Sequence, residues 1–491
     1  MMLAKSLLFS TVAGFAAIAG AQAADLPSRK AAPVNYVKIC DAYGAGFFYI
    51  PGTDTCLRVG GYVRAEWQYS QGRRTYTFIP ANTVVGFQTP SQVPGSFNTA
   101  GTEVRGRVDL DARTPTALGT VRTMVRLRAA NTSGIRNTSP ANNAIWSQSA
   151  ASATSITAER AFVQWAGFTF GIAPENYAMM PSQAYLGNPW TGFPNGMKQL
   201  AYTATFGGGF SATLAIEDRT DFAYAPVYSH TPTNGYHLVG NVRVDQSWGF
   251  AAIHGMIGNN SLRSDYQING IGNGVLTGAG TNTTNNALIG SRTVGGYAIG
   301  ATVKLNLPMI AAGDAVWLTA NYTKGLLGSL LSNGSLQNLS TSSGRRVAGG
   351  ITRIDAPLMI TSGNCLVTCT VDSVTGWNVA MAATHYWTPQ WRSNFSAGYI
   401  EITPPTVSGP GTLNPVTSPF QWGKGRVWEV MGSLVYSPAK DFDIGLELQY
   451  LNVKSRIQNA TLANLPNFIN AGSPGLSSNG WSTKLRVERQ F

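Results

Sequence analysis

Charge is scarce in this 491-residue chain: Asp, Glu, Lys and Arg make up 12% of it, about half of what soluble domains carry. That argues against a surface bathed on all sides by water. Long apolar runs are missing too. Beyond the first 20 residues no stretch of 18 apolar residues occurs, which excludes membrane-spanning helices. Only four histidines are present, at 230, 237, 254 and 385. They have no HExxH spacing and no cysteine at metal-ligand distance in sequence. There is no G-x-S-x-G elbow and no P-loop, and Gly270, Gly272 and Gly274 lack the strand-to-helix context of a dinucleotide site. A catalytic triad dispersed along the chain is the enzymatic possibility left open. No enzyme activity, cofactor or metal is expected. Charge runs, proline-rich linkers and composition shifts are also missing, so one domain is expected despite the length.

The first residues carry an address. Lys5 precedes an apolar run, Ser6 to Gly20, and then Ala21-Gln22-Ala23, which is the grammar of a secretory signal peptide. Residues 1–23 are expected to be removed, leaving 24–491 as the exported domain. Export into an oxidising space suits the four cysteines. Three pairings are open to four cysteines, and the two local ones, Cys40–Cys56 and Cys365–Cys369, need the least chain closure. Closing the first loop is worth roughly 3 kcal/mol in the loop-entropy model; a zinc site built from all four thiolates is the weaker alternative. A net charge of +12 could serve nucleic acid. The basic residues are spaced two apart rather than clustered, and export makes nucleic acid an unsuitable partner.

What the chain has in abundance is glycine (55), tyrosine (19), phenylalanine (20) and tryptophan (12), set in short alternating segments. Leu57 to Tyr69 places apolar or glycine residues at odd positions and Arg58, Arg64, Glu66 and Gln68 at even ones. Thr102 to Arg113 sets Val104, Val108 and Leu110 against Glu103, Arg105, Arg107, Asp109, Asp111 and Arg113. A turn at Thr114–Ala117 leads into Leu118 to Ala130, where Val121, Val125 and Leu127 oppose Arg122, Arg126 and Arg128. Period two with one apolar and one charged face describes a strand between lipid and water. Sixteen such strands are expected, near 57–69, 102–113, 118–130, 158–166, 167–173, 198–206, 210–218, 235–245, 249–257, 294–307, 314–323, 376–387, 391–402, 426–436, 442–453 and 480–491. Their links alternate short and long, as an all-β transmembrane antiparallel barrel with short turns on one rim and long loops on the other requires.

A soluble sandwich could share the alternation, but it has no use for aromatic belts. In the hairpin 426–453, Trp428, Val430, Leu434 and Tyr436 face Phe442, Ile444, Leu446, Leu448 and Tyr450, with aromatics at both ends of each row. The segment Trp481 to Phe491 is a strand as well. Few folds place one there, but a closed barrel must, because its last strand zips against its first. The aromatic end residue, with Val487, Leu485 and Trp481 on one face, resembles the sorting signature of bacterial outer-membrane barrels. Arg489 departs from that pattern.

The charged faces are the candidate site. Arg58, Arg64, Arg105, Arg107, Arg113, Arg122, Arg126, Arg128 and Arg160 are expected inward against Glu66, Glu103, Asp109 and Asp111, an excess of arginine too crowded for every member to be paired. Cross-strand charge ladders that stiffen the wall are the competing reading. Residues 174–197, rich in Pro, Tyr and Trp with Glu175 as the only acid, are expected to fold inward and narrow a bore that sixteen strands would otherwise leave open.

The run Cys40-Asp-Ala-Tyr-Gly-Ala-Gly-Phe-Phe-Tyr-Ile-Pro-Gly-Thr-Asp-Thr-Cys56-Leu-Arg-Val-Gly-Gly-Tyr-Val-Arg64 resembles the amino-terminal hallmark of the alphaproteobacterial general porins. So do Arg160-Ala-Phe-Val-Gln-Trp-Ala-Gly-Phe-Thr-Phe-Gly171, Ala201-Tyr-Thr-Ala and Gly209-Phe-Ser-Ala-Thr-Leu. The resemblance implies a sixteen-stranded homotrimer in outer-membrane lipid and lipopolysaccharide, passing small hydrophilic solutes and ions. It also implies a periplasmic segment 24–56 and a constriction loop at 174–197. A substrate-selective channel is the alternative, and a line of inward aromatics would mark it.

Overall fold

The computed structural model describes residues 38–76, 95–134, 153–180, 196–219, 235–262, 292–330, 358–364, 368–403, 421–458 and 475–491, with four two-residue strands between 267 and 288. The expected signal peptide, residues 181–195 of the expected constriction loop, and Cys365 lie outside the described residues.

Sixteen strands form one antiparallel sheet in chain order: β1 Cys56–Tyr76, β2 Gly95–Thr116, β3 Gly119–Thr132, β4 Ala153–Trp165, β5 Phe168–Ala173, β6 Met197–Gly207, β7 Phe210–Asp218, β8 Tyr236–Gln246, β9 Gly249–Leu262, β10 Arg292–Asn306, β11 Ala315–Lys324, β12 Thr375–Tyr386, β13 Trp391–Thr403, β14 Gln421–Ala439, β15 Phe442–Gln458 and β16 Gly475–Gln490. Each pairs with the next. β16 then pairs with β1 from Tyr62↔Gln490 to Tyr76↔Leu476, so the sheet has no free edge. The Gly61 N–H donates to the Phe491 carbonyl at 3.0 Å and the Phe491 N–H returns to Gly61 at 3.1 Å. Gly61 is required here, because a side chain would run into the Arg107 carbonyl and the Phe491 ring.

The alternation expected from sequence settles which residues face out. Val108, Leu110, Leu434, Leu446, Leu485 and Phe491 stand exposed on the outer face, where only hydrocarbon makes such exposure favourable. Ring contacts gather at both ends of the apolar band. Trp391 stacks on Tyr436 at 4.6 Å near the short-turn rim. Near the other rim Trp377 meets Tyr399 at 5.2 Å, and Trp428, Tyr450 and Trp481 form a chain of contacts at 4.9 and 4.8 Å.

The short-turn rim is built by two-residue reversals such as Ala166-Gly167, both at positive φ (50° and 86°), the backbone twist that suits tight hairpins. Strands extend further than expected at several ends. Thr114, Pro115 and Thr116 belong to β2, and the turn is Ala117-Leu118 rather than Thr114–Ala117. Likewise Ser437 to Ala439 continue β14, leaving Lys440-Asp441 as the turn. Proline misled the first reading: it lacks a ladder donor but is tolerated at a strand end.

Cys40 and Cys56 are bonded, with Cα atoms 5.9 Å apart. Their loop holds Phe47 and Tyr49 in a small buried cluster. It docks on the short-turn rim through Phe47 beneath Arg58 and Arg113, and through the Tyr43 hydroxyl beside Thr120 at 3.3 Å. Cys369 lies in a hairpin of Leu358–Asn364 with Thr368–Ser373; its expected bond to Cys365 falls outside the described residues.

Candidate functional site: a charged inner wall facing two infolded loops

Inner-facing positions of β1–β4 and β16 carry the charge. Carboxylates are shared, so eight of the nine arginines expected inward meet one. Asp111 accepts two bonds from Arg122 and two from Arg113, with Arg58 at 3.8 Å. Asp109 serves Arg126 at 2.8 Å and Arg107 at 3.1 Å. Arg105 is paired with Glu103, and Arg64 with Glu488 at 2.5 Å and Glu66 at 3.8 Å. Glu66, buried, also takes Lys484 at 3.1 Å and Arg486 at 2.5 Å. Arg160 donates to the Glu159 backbone carbonyl at 2.6 Å. Charge-assisted bonds of this kind are the strong ones, and forked arginine geometry suits sharing.

Aromatic rings brace the same wall. Tyr62 lies between Arg64 and Arg107, whose guanidinium carbons are 4.5 and 4.3 Å from the ring centre. Phe162 lies under Arg122 at 5.4 Å.

Several members were missed by periodicity. A bulge in β4 after its pair Arg126↔Arg160 lets Glu159 reach Arg128 at 2.9 Å. The signal was there: adjacent charges Glu159-Arg160 break period two, as a bulge does. Glu488, Lys484 and Arg486 were read only as part of the closing strand.

Glu175, the only acid of the 174–197 loop, is held in a buried ion cluster. Arg219, just past β7, binds it at 2.8 Å and Glu217 at 2.6 Å, and the three side chains are 1%, 6% and 0% exposed respectively. Asn176 reinforces this anchor. Its side-chain amide donates to the Gln199 carbonyl oxygen at 2.5 Å, with Glu217 at 2.9 Å. Tyr177 then lies edge-on to His254 at 4.7 Å, and His254 Nε2 meets the Thr302 hydroxyl at 3.2 Å. The described start of the 174–197 loop therefore runs along the inner face of β6–β9.

A second segment folds in beside it, and sequence reading did not anticipate it. After β11, Gly325 turns the chain at φ 80°, and Leu326 and Leu330 flank a short 3-10 turn, Leu327–Ser329. Leu326 packs with Tyr177, Val239 and Met256. Leu327 and Leu330 pack with Met180, Trp317, Ile400, Ile402, Val427, Leu451 and Val453. The overlooked signal was the leucine-rich run that opens the connection, Leu326-Leu327-Gly328-Ser329-Leu330.

A closed sixteen-stranded barrel with a charged inner wall and an apolar outer band fits a transmembrane pore, and sequence comparison identifies the family. A model of the porin subfamily matches residues 25–470. The chain belongs to the porin subfamily. Porin Omp2b of Brucella abortus is 32% identical over 280 residues, 53% of this chain and 67% of that protein. Porin Omp2b of Brucella canis is 33% identical over 282 residues, with the same coverage. Among solved structures, the outer membrane channel DcaP of Acinetobacter baumannii shares the fold, with a TM-score of 0.52 at 13% identity over 90% of this chain and 99% of that one. This porin is thus an outer-membrane channel that crosses the bilayer by strands.

Proposed function

We propose that this porin is a general diffusion channel for small hydrophilic solutes and ions, and that the arginine wall lines its open path. The observation that carries the reading is the state of four inward rings among the described residues. Tyr62, Phe162, Phe250 and Trp317 are 3%, 7%, 7% and 8% exposed. Each lies under a cation: Tyr62 under Arg64 and Arg107, Phe162 under Arg122, Phe250 under Arg243 at 3.8 Å and Trp317 under Lys304 at 5.3 Å. Rings capped in this way offer no bare face for a sugar to stack on, which a sugar-selective channel would need. Liposome swelling with sugars of graded size tests it. A smooth size cut-off is expected; one sugar entering far faster than others of its size would favour the selective reading.

Pore-lining roles are proposed for Arg58, Arg64, Glu66, Glu103, Arg105, Arg107, Asp109, Asp111, Arg122, Arg126, Arg128 and Arg160, whereas Glu175 anchors the loop. Anion preference should be mild, since carboxylates stand beside most of these arginines and salt screens the remainder over about 10 Å at 0.1 M. We assign the docked Cys40–Cys56 loop to the periplasmic side, and a homotrimer is the proposed assembly. Mass measurement in detergent tests the latter.

A further inference from the structure

Glycine inside a strand weakens it and often marks a place where other atoms come close. Two glycines of the inner wall are of this kind. A β-carbon on Gly296 of β10 would stand 2.9 Å from Leu326 Cδ2 and 3.0 Å from the Lys324 carbonyl oxygen. One on Gly376 of β12 would stand 2.7 Å from Leu330 Cδ1 and 3.1 Å from the Glu401 carbonyl oxygen. Neither glycine has a positive φ, so backbone freedom does not explain them. What they give the wall is a pair of sockets for leucines of the turn that follows β11.

Polar bonds tie both ends of that turn to the wall. The Gly325 N–H donates to the Val374 carbonyl at 2.8 Å, and the Leu326 N–H to the Thr323 hydroxyl at 3.2 Å. At the far end the Asn378 amide donates to the Leu330 carbonyl at 3.3 Å, and the Asn378 side-chain oxygen accepts from Asn321 at 2.8 Å. The Ser329 hydroxyl closes the turn on the Leu326 carbonyl at 2.8 Å. Gly328, at the crest, is the one residue of the five left partly exposed. The leucines also meet the start of the 174–197 loop, Leu326 through the cluster that holds Tyr177, and Leu327 and Leu330 through the one that holds Met180. The turn thus packs against the wall and against that loop at once. With its side chains a helical turn is about 10 Å across, a large part of a section that wall side chains leave open.

We propose that Leu326–Leu330 is a second restricting element of the pore, which takes up the bore beside β10–β12, wedges the loop start at Tyr177 and Met180, and so sets the largest solute admitted. The proposal rests on the general-diffusion reading above, in which size decides passage. The polar ties fix where the turn sits. The three leucines fix how far the turn and the loop start stand into the passage.

The test uses the full barrel, in planar bilayers for single-channel conductance in potassium chloride and in liposomes for swelling with sugars of graded size. The protein bearing L326A, L327A and L330A together should conduct roughly twofold better, as an element about 10 Å across gives up part of the section, and its size cut-off should rise. Gly328→Trp adds bulk at the crest and should lower both. Changes of opposite sign, read one channel at a time, are not what a folding defect produces. Leu446→Ala, on the outer face, should alter neither quantity. A triply substituted barrel that keeps the native conductance and cut-off would overturn the proposal and leave the turn a packing element alone. If that variant does not insert, Gly328→Trp decides, and an unchanged conductance overturns the proposal. A single sugar entering the native barrel far faster than its size allows would sink the general-diffusion reading, whereas the potassium chloride conductances judge the turn whatever the sugars do.

Discussion

The two halves of the inner wall solve the same problem by opposite means. On β1–β4 and β16 the inward positions hold arginines and acids that brace one another across strands, with water supplying the remainder of their solvation. On β9–β15 one group of inward positions is apolar, Phe250, Ala252, Trp317, Ile400, Ile402, Val427, Leu451 and Val453, and it is covered by Met180, Leu327 and Leu330 from the two infolded segments, while the rest of that wall is polar, with Asn321, Asn378, Glu429 and Glu447 buried in it. One half is a lattice of shared charges and the other a small apolar core inside a pore. A sixteen-stranded bore is too wide for wall side chains to fill; matter from the loops covers one side, and the function proposed above takes the charged side as the passage. What fixes the boundary between them is the Arg219 anchor, where the first loop is tied down by a dry ion cluster.

That anchor offers the largest effect. Arg219→Gln leaves Glu175 and Glu217 close together and buried without their cation, a loss of about 3–5 kcal/mol for a buried pair. The start of the loop should come off the wall, and hydrogen exchange at 175–178 should rise together with noise in single-channel current. Unchanged protection would show that Asn176 and Tyr177 hold the loop unaided. Next, Leu330→Ala removes a side chain from the apolar half at a cost of about 2–4 kcal/mol. It should lower the temperature at which heated samples lose barrel mobility on gels, while ion selectivity stays put. Asp111→Asn attacks the charged half. Arg58, Arg113 and Arg122 lose their shared partner but keep water, so a cost nearer 1–2 kcal/mol is expected, along with a shift of reversal potential toward anions in a potassium chloride gradient. Smallest is the expected shift from Arg105→Ser with Arg107→Ser, which should move that potential toward cations at low salt and cost about 1–2 kcal/mol, since Asp109 keeps Arg126 while buried Glu103 loses Arg105. A shift toward anions would mean that the passage runs along the other half.

The charged half was legible because strand periodicity reports it directly. Arg64, Arg105, Arg107, Arg122 and Arg126 fall at alternate positions of their strands, with Met124 the one apolar member between the last two. Its bookkeeping was not legible: which acid serves which arginine depends on register, and Glu159 enters only through a bulge. The apolar half was nearly invisible. Ile400, Ile402, Val427 and Leu451 sit at inward positions beside outward Glu401, Arg426 and Asn452, so the alternation inverts where the infolded loops cover the wall. Arg219 stands just beyond a strand end, where periodicity says nothing. The selectivity reading needed these missing pieces.

The pairing of β16 with β1 has a further consequence for how the chain reaches its final form. The two strands that join the sheet are the first and the last of the sixteen to be synthesised and exported, so the contact that removes both edges is also the one of greatest sequence separation. Until Gly61 and Phe491 meet, the chain in transit carries two unpaired edges and a full set of outward apolar side chains, the state most prone to aggregate. Closure of such distant pairs is slow. A growing curved sheet therefore needs keeping apart from its neighbours for the whole of export, and the final ring closure, rather than any local hairpin, sets the pace of assembly.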